Sequence, residues 1–168
     1  MEPKLIIFSI LAISAYLLLI YILFKKLPSV SQSFYEFEKR YGQKYTWVFT
    51  VALVLYAFPL MVAGLSMTSG NPFQFLMFIS PAGIIFTAVA PRFMDTLTKG
   101  VHFGGAGVGI FGGLLSIMLT FNQPYILMLC LFLIALIGWS NISNKLYWLE
   151  FLGIYAIPLV MLYSALVK

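Results

Sequence analysis

The sequence predicts an all-α polytopic membrane protein: one bundle of six transmembrane helices, with a short interfacial amphipathic helix after the first. Of its 168 residues, 62% are hydrophobic and 9% are charged, and the mean hydropathy is +1.00. A soluble domain cannot hide that much apolar surface. The chain also divides into apolar runs of about 20 residues, the length needed to cross the hydrocarbon core of a bilayer. One bundle over residues 1–168 is the natural domain organisation at this length.

The six predicted spans have approximate bounds 5–24, 45–65, 73–90, 101–121, 125–140 and 146–167. The first apolar run is longer than that of a signal peptide and meets Lys25 directly, so we expect it to be retained as a span. Three spans contain a proline, at Pro59, Pro81 and Pro158. Proline is tolerated there because neighbouring helices can satisfy the carbonyl groups that it frees.

The longest polar connection, residues 25–44, carries the signals of a short helix of its own. The segment SFYE at 33–36 fits a capping box, in which the serine caps the first turn and the glutamate reaches back to it. Aromatic residues then fall on one helical face, at Phe34, Phe37 and Tyr41. The pattern predicts an amphipathic helix lying at the membrane interface.

The distribution of positive charge predicts the orientation. The connections 25–44, 91–100 and 141–145 hold eight of the ten Lys and Arg residues, and only Lys4 and Lys168 lie on the opposite side. Because cytoplasmic loops carry the excess of basic residues, these three connections are predicted to be cytoplasmic and both termini external in a multi-pass cell-membrane protein. The expected partners are the bilayer and anionic lipids at its cytoplasmic face, and no nucleic acid is expected because the basic residues follow the topology pattern.

The fourth span is rich in glycine. Residues 107–112 match the dinucleotide fingerprint G-x-G-x-x-G, but they lie in the middle of an apolar run with no preceding strand, which excludes that function. Gly105, Gly109 and Gly113 recur every four residues and form a strip along which a second helix can approach closely. His102 falls within about 60° of this strip and is therefore predicted to point into the bundle.

Two ionisable residues, His102 and Glu150, are predicted about one turn inside the cytoplasmic boundary, and Asp95 lies on the same side. Ionisable groups at membrane depth are costly and often mark a functional site. Each of the two residues can also have a purely structural role. Glu150 can pair with Arg92 or Lys145 at the interface, and His102 can bond a carbonyl group of a neighbouring helix.

The sequence supports few kinds of catalytic site. A zinc site with three histidines is excluded because the chain has one histidine. His102, Asp95 and Glu150 have the ligand count of a catalytic metal site, but no spacing supports one. Ser31 or Ser33 as nucleophile with His102 as base lacks any nucleophile-elbow motif. We therefore predict no cofactor and assign no residue to a metal site. A transporter or channel would show more polar residues near the midplane.

Three segments resemble, in order and spacing, motifs of a small, uncharacterised family of multi-pass membrane proteins of bacteria and phages: PSVSQSFY at 28–35, AVAPRF at 88–93 and VHFGGA at 101–106. That family is distantly similar to the ceramidase-like CREST superfamily of membrane hydrolases, which keep a serine, an aspartate and several histidines. The polar residues that the resemblance singles out are Ser31, Ser33, Tyr35, Asp95 and His102. With its one histidine the chain departs from the CREST pattern, which places metal-dependent hydrolysis in doubt even where the fold is shared.

The sequence thus favours a non-enzymatic integral membrane protein with a polar pocket at its cytoplasmic face. Two alternatives stay open. One is a lipid-directed hydrolase or lipid binder that uses His102, Asp95 and Glu150, and the other is a small transporter or channel. Self-association into a homo-oligomer also stays open.

Overall fold

A computed structural model of the chain describes residues 2–90 and 95–167, and for residues 95–99 it describes the backbone alone. These parts of the chain are helical, with turns between the helices, which confirms the all-α class. The helices are α1 (Glu2–Phe24), α2 (Gln32–Tyr41), α3 (Trp47–Met67), α4 (Leu76–Val89), α5 (Asp95–Leu119), α6 (Pro124–Trp139) and α7 (Lys145–Val167), with a 3-10 turn at Gln43–Tyr45 before α3.

Within the described residues, four helical segments are long and apolar enough to cross a membrane: Glu2–Phe24, Gln43–Met67, Gly100–Leu119 and Lys145–Val167. The helices α4 and α6 are also apolar but shorter, at 14 and 16 residues. The fourth predicted span was expected to begin near residue 101, whereas α5 begins at Asp95 and continues through Gly100. The lengths and composition of these helices indicate a membrane-embedded protein.

The helices form a ring. α1 packs against α3, α3 against α4, α4 against α5 and α5 against α7, and α7 closes the ring by packing against α1. α6 lies outside the ring against α5 and α7, and of its side chains only Cys130 is buried. The main hydrophobic core runs along α1 and α3 and is extended by side chains of α2, α4 and α7.

α4 lies antiparallel along the length of α3. At one end the hydroxyl group of Thr50 donates a hydrogen bond to the Ala88 carbonyl oxygen at 3.0 Å. At the other end the side-chain amide of Gln74, just before α4, donates to the Leu65 carbonyl oxygen at 2.7 Å. α4 and the turn before it therefore run beside residues 50–65 of the 21-residue α3.

The backbones of α4 and α5 are in direct contact. A Cβ atom built on Gly83 would lie 2.6 Å from both the Gly105 oxygen and the Gly109 nitrogen, and one on Gly105 would lie 2.8 Å from the Gly83 oxygen. The Ser80 hydroxyl also donates to the Gly109 carbonyl oxygen at 2.7 Å. Such an approach replaces side-chain packing with dispersion and weak Cα–H···O contacts between backbones.

α7 packs closely against α5 at a glycine and is linked to α3 next to a proline. Gly113 of α5 faces the Ile157 side chain of α7, which leaves no room for a Cβ atom. Pro158 has no N–H group, so the carbonyl group of Ile154 has no helical partner. The hydroxyl group of Tyr56 on α3 donates to this carbonyl oxygen at 2.5 Å. The freed carbonyl thus becomes a link between α3 and α7.

The predicted amphipathic helix exists as α2, but the capping box predicted at 33–36 is wrong. α2 begins at Gln32, whose backbone N–H donates to the Ser29 hydroxyl oxygen at 3.1 Å. Ser33 lies inside the first turn and is fully buried. Glu36 pairs with Arg40 at 3.2 Å instead of reaching back to the start of the helix.

α2 folds back against the end of the bundle through its aromatic face. The Phe37 ring meets Phe24 of α1 edge-on, with 5.0 Å between ring centroids, and the Phe34 ring meets Phe49 of α3 at 5.9 Å. The Arg40 guanidinium lies over the Phe24 ring at 5.0 Å. Edge-to-face ring pairs and this cation–π contact together hold α2 over the ends of α1 and α3.

We predict that Gly105→Ala destabilises the protein, because its Cβ atom meets backbone atoms of α4 that cannot move independently of the helix. The expected loss is about 1–3 kcal/mol, the usual range for overpacking. Gly104→Ala, one position away with nothing within 4 Å of its Cβ position, is the matched control. It should be neutral or slightly stabilising, because alanine favours helix more than glycine does. Unfolding in mixed detergent micelles, followed by circular dichroism, measures both, and equal losses would contradict the contact.

Candidate functional site

A cavity of about 60 Å³ lies inside the ring, at the end of the bundle that α2 covers. Its walls come from α3, α4, α5 and α7 and from the linker that precedes α2. Three polar side chains border it: Glu150 of α7, Ser31 of the linker and Thr87 of α4. The rest of the wall is apolar and includes Phe49, Leu53, Ile84, Ala106, Ile110 and Ile154.

The carboxylate of Glu150 fastens the linker to α7. Its Oε2 accepts the backbone N–H of Val30 at 2.5 Å, and its Oε1 accepts the Ser31 hydroxyl at 2.7 Å. The backbone N–H of Ser31 is bonded to it as well. One turn earlier, the backbone N–H of Tyr147 donates to the Pro28 carbonyl oxygen at 3.1 Å. The carboxylate therefore satisfies backbone donors at the start of α2, where negative charge is favourable.

One structural alternative for Glu150 is an ion pair with Lys145 or Arg92, and the pair with Lys145 does not form. Lys145, one of its two predicted partners, donates to the Gly138 carbonyl oxygen at 2.8 Å at the end of α6. Arg92, the other, lies outside the described residues. In the described part of the chain the contacts of Glu150 are to uncharged donors.

Ser33 lies in the first turn of α2, and its hydroxyl group is bonded to the scaffold. It donates to the Val30 carbonyl oxygen at 2.5 Å and shares a second hydrogen bond with the Tyr16 hydroxyl of α1. Tyr35 is exposed, with its ring against Phe34. Neither side chain borders the cavity among the described residues.

His102 lies elsewhere. Its ring is half-buried, lies near the backbone of Thr87 on α4, and meets Phe103 edge-on. Asp95 is the first residue of α5, and its side chain is outside the described part of the structure. The structure thus brings Ser31 to Glu150, while His102 is not among the described residues that line the cavity.

The described side chains include no group of three His, Cys, Asp or Glu residues that could hold a metal ion. Because the Asp95 carboxyl group is not described, this finding does not include the complete set of His102, Asp95 and Glu150. Among the residues that are described, the cavity wall holds one hydroxyl–carboxylate pair, Ser31 and Glu150, and His102 is not among the residues that line it.

Several residues of the site have no side-chain signature in the sequence. One donor to Glu150 is the backbone N–H of Val30, which no side-chain pattern reveals. Thr87 borders the cavity because of the way α4 packs against its neighbours. Ser29 is different: with Gln32 it forms the S-x-x-Q pattern of a capping box, four residues before the box predicted at 33–36. That pattern would have located the start of α2.

A second concavity, of about 600 Å³, lies between α6 and α7 on the outside of the ring. It is lined by apolar and aromatic side chains, including Leu133, Trp148, Phe151 and Tyr163. In a bilayer such a surface faces lipid chains. It has no carboxylate or basic group among its lining residues, so the cavity at Glu150 is the better candidate for a specific site.

Fold and site together define a membrane-embedded helical bundle with a carboxylate-bearing cavity near one end. No protein-family model, curated protein or solved structure matches the chain.

We predict that Glu150→Ala speeds hydrogen–deuterium exchange over residues 26–34, because Val30 and Ser31 lose a shared acceptor. Leaving buried donors unpaired costs about 1–3 kcal/mol for each group. Glu36→Ala removes the other described carboxylate contact of this region, a surface pair worth about 0–1 kcal/mol, and should leave exchange in 26–34 unchanged. Equal protection in wild type and Glu150→Ala would show that the carboxylate does not hold the linker.

Proposed function

We propose that the protein is a six-span integral membrane protein that acts by binding rather than by chemistry, and that the cavity at Glu150, at the cytoplasmic end, is its ligand site. The observation that carries this proposal is the composition of the cavity wall. The side chains of Glu150, Ser31 and Thr87 border an otherwise apolar space, inside helices that are themselves apolar.

The contacts of the two short helices support six spans. α4 is hydrogen-bonded to α3 near both of its ends, so a bilayer that surrounds α3 also surrounds α4. α6 borders α7 from residue 148 to residue 163 along the outer concavity. Six crossings place both termini on one side and the basic connections 25–44, 91–100 and 141–145 on the other. The basic residues then face the anionic lipids of the cytoplasmic leaflet.

The chemistry of the wall favours an amphiphilic ligand whose polar end donates hydrogen bonds. Carboxylate oxygens accept and do not donate, so Glu150 recognises a hydroxyl or amine group. The apolar side chains around it suit a hydrocarbon chain. A lipid with a free hydroxyl group has both parts, and small-molecule sites commonly combine an apolar wall with a few polar groups.

The placement of His102 argues against a hydrolase that uses His102 as its base. A serine nucleophile needs its base within about 3 Å or one water, yet the hydroxyl of Ser31 bonds Glu150 and the hydroxyl of Ser33 bonds Tyr16 and Val30. We also propose kinship with the family that the motifs resemble. Val30 and Ser31 of the first motif and Ala106 of the third border one cavity, which gives the shared segments a common place in the fold.

The topology is tested with single cysteines in a Cys130→Ala background. Ser69→Cys and Gly100→Cys flank α4, and Asn122→Cys and Asn141→Cys flank α6; all four positions are exposed. A membrane-impermeant maleimide added to intact cells should label positions 69 and 122, and it should label 100 and 141 only after the membrane is opened. If either pair is labelled from the same side, that short helix does not cross.

Ligand binding is tested by thermal stability of the purified protein in detergent. We predict that 1-monooleoylglycerol raises Tm and that methyl oleate, which has no hydroxyl group, raises it much less. A ligand at 100 times its Kd stabilises the folded state by about 2.7 kcal/mol.

Two alanine-to-leucine substitutions test whether the lipid binds in the cavity. Ala106→Leu fills the cavity and should abolish the shift produced by monooleoylglycerol, whereas Ala135→Leu, at an exposed position of α6, should keep it. A shift that survives Ala106→Leu, or equal shifts with the two lipids, would overturn the proposed site.

A further inference from the structure

The connection between α1 and α3 is basic, and its positive charge gathers where α2 returns to the end of α1. Residues 25–44 hold five Lys and Arg and two Glu, a net charge of +3 (five minus two). Lys25 and Lys26 directly follow α1, Arg40 is in the last turn of α2, and Lys44 is in the 3-10 turn after it. We call these four residues the basic cluster.

Arg40 joins the ends of the two helices. Its Nη1 donates to the Leu23 carbonyl oxygen at 3.2 Å, and its Nε donates to the Glu36 carboxylate at 3.2 Å. Its guanidinium also lies over the Phe24 ring at 5.0 Å. A guanidinium has five N–H donors, so within the described residues these two bonds leave donors for a further acceptor. The side chain is 49% exposed, and an anion can therefore reach it.

The segment that carries the cluster is fixed in the bundle. Leu27, Val30, Phe34 and Phe37 are buried in the main hydrophobic core, and the Phe37 ring packs edge-on against Phe24 with 5.0 Å between centroids. The backbone beneath the basic side chains is thus ordered before any ligand arrives. Binding of an anion here costs little further conformational entropy.

The cluster lies where the hydrocarbon core of a bilayer ends. α1 is a candidate membrane span and ends at Phe24. Exposed aromatic rings lie just before and at the start of α3: Tyr41, Tyr45 and Trp47. The Lys44 ammonium lies over the Tyr45 ring at 5.1 Å. Because Tyr and Trp are enriched at membrane–water interfaces, this arrangement puts the basic side chains at the level of lipid phosphates.

We propose that the basic cluster is a binding site for the phosphate of an anionic phospholipid headgroup. The planar fork of the Arg40 guanidinium matches phosphate geometry, and the three lysines surround it with positive charge. A lipid is favoured over free phosphate because the cluster adjoins apolar helices and exposed rings, which contact the glycerol and the first chain carbons. The proposal assigns residues to an anionic-lipid contact, and it does not depend on the ligand site at Glu150.

The test compares two lipids on the purified protein in neutral detergent, with dissociation constants measured by native mass spectrometry. Dioleoylphosphatidylmethanol is an anionic phosphodiester and dioleoylphosphatidylcholine is a zwitterionic one, and neither has the free hydroxyl group expected of a cavity ligand. Arg40→Gln and Lys26→Gln each remove one positive charge from the cluster. Lys4→Gln removes an exposed positive charge at the opposite end of α1 and is the matched control.

We expect the wild type to bind phosphatidylmethanol about tenfold or more tightly than phosphatidylcholine, since each basic residue near an anionic headgroup contributes about fivefold. Arg40→Gln and Lys26→Gln should each weaken phosphatidylmethanol binding by about fivefold, whereas Lys4→Gln should leave it unchanged. The Lys26 side chain is exposed, so a loss in that variant does not come from unfolding of α2. Equal affinities for the two lipids, or equal losses in Lys26→Gln and Lys4→Gln, would overturn the site.

The cavity variant separates this site from the one at Glu150. In an Ala106→Leu background, which fills the cavity, the preference for phosphatidylmethanol should persist. Its loss there would place the anionic lipid in the cavity and overturn the cluster as its site. A preference that persists while monooleoylglycerol fails to raise Tm supports the cluster and removes the cavity ligand alone.

Discussion

The contact between the backbones of α4 and α5 fixes most of what surrounds the cavity. Lipid chains are as apolar as leucine, so two helices in a bilayer gain little from burying side chains against each other, and close approach becomes the main source of attraction. Gly83 and Gly105 provide that approach. With these two glycines facing each other, Thr87 of α4 and Ala106 of α5 border the same cavity, and His102 lies near the backbone of α4.

Polar groups inside this bundle are used as links. The Tyr56 hydroxyl reaches the carbonyl group that Pro158 frees, Ser80 reaches Gly109 across the α4–α5 contact, and Glu150 reaches the start of α2. Each link satisfies a group that would otherwise lack a partner in an apolar surrounding. An intramembrane carboxylate that would ordinarily suggest chemistry is here also part of the scaffold, and the apolar space beside it is what makes it a candidate site.

The helices were predictable because apolar runs of membrane length have few other outcomes. The start of α5 was not, since Gly100 is unfavourable in an isolated helix by about 1 kcal/mol, a small penalty where the chain continues into a packed span. The capping box at Ser33 failed for a different reason. The hydroxyl of Ser33 is taken by Tyr16, 17 residues earlier in the chain, and no local pattern reports a partner at that distance. The hold of Glu150 on Val30 is equally invisible to sequence, because the donor is a backbone N–H.

The shortness of α6 has a consequence for the surrounding bilayer. Its 16 residues extend about 24 Å at 1.5 Å per residue, against a hydrocarbon core of about 30 Å. In the proposed six-span topology α6 crosses the bilayer on the outside of the ring with only Cys130 buried, so lipid meets this mismatch directly. Lipid chains shorten locally or the flanking residues stretch to the interface, at a fraction of a kcal/mol for each ångström. Membrane thickness is therefore a variable to which this side of the molecule responds, and a thinner bilayer holds α6 with less strain than a thicker one.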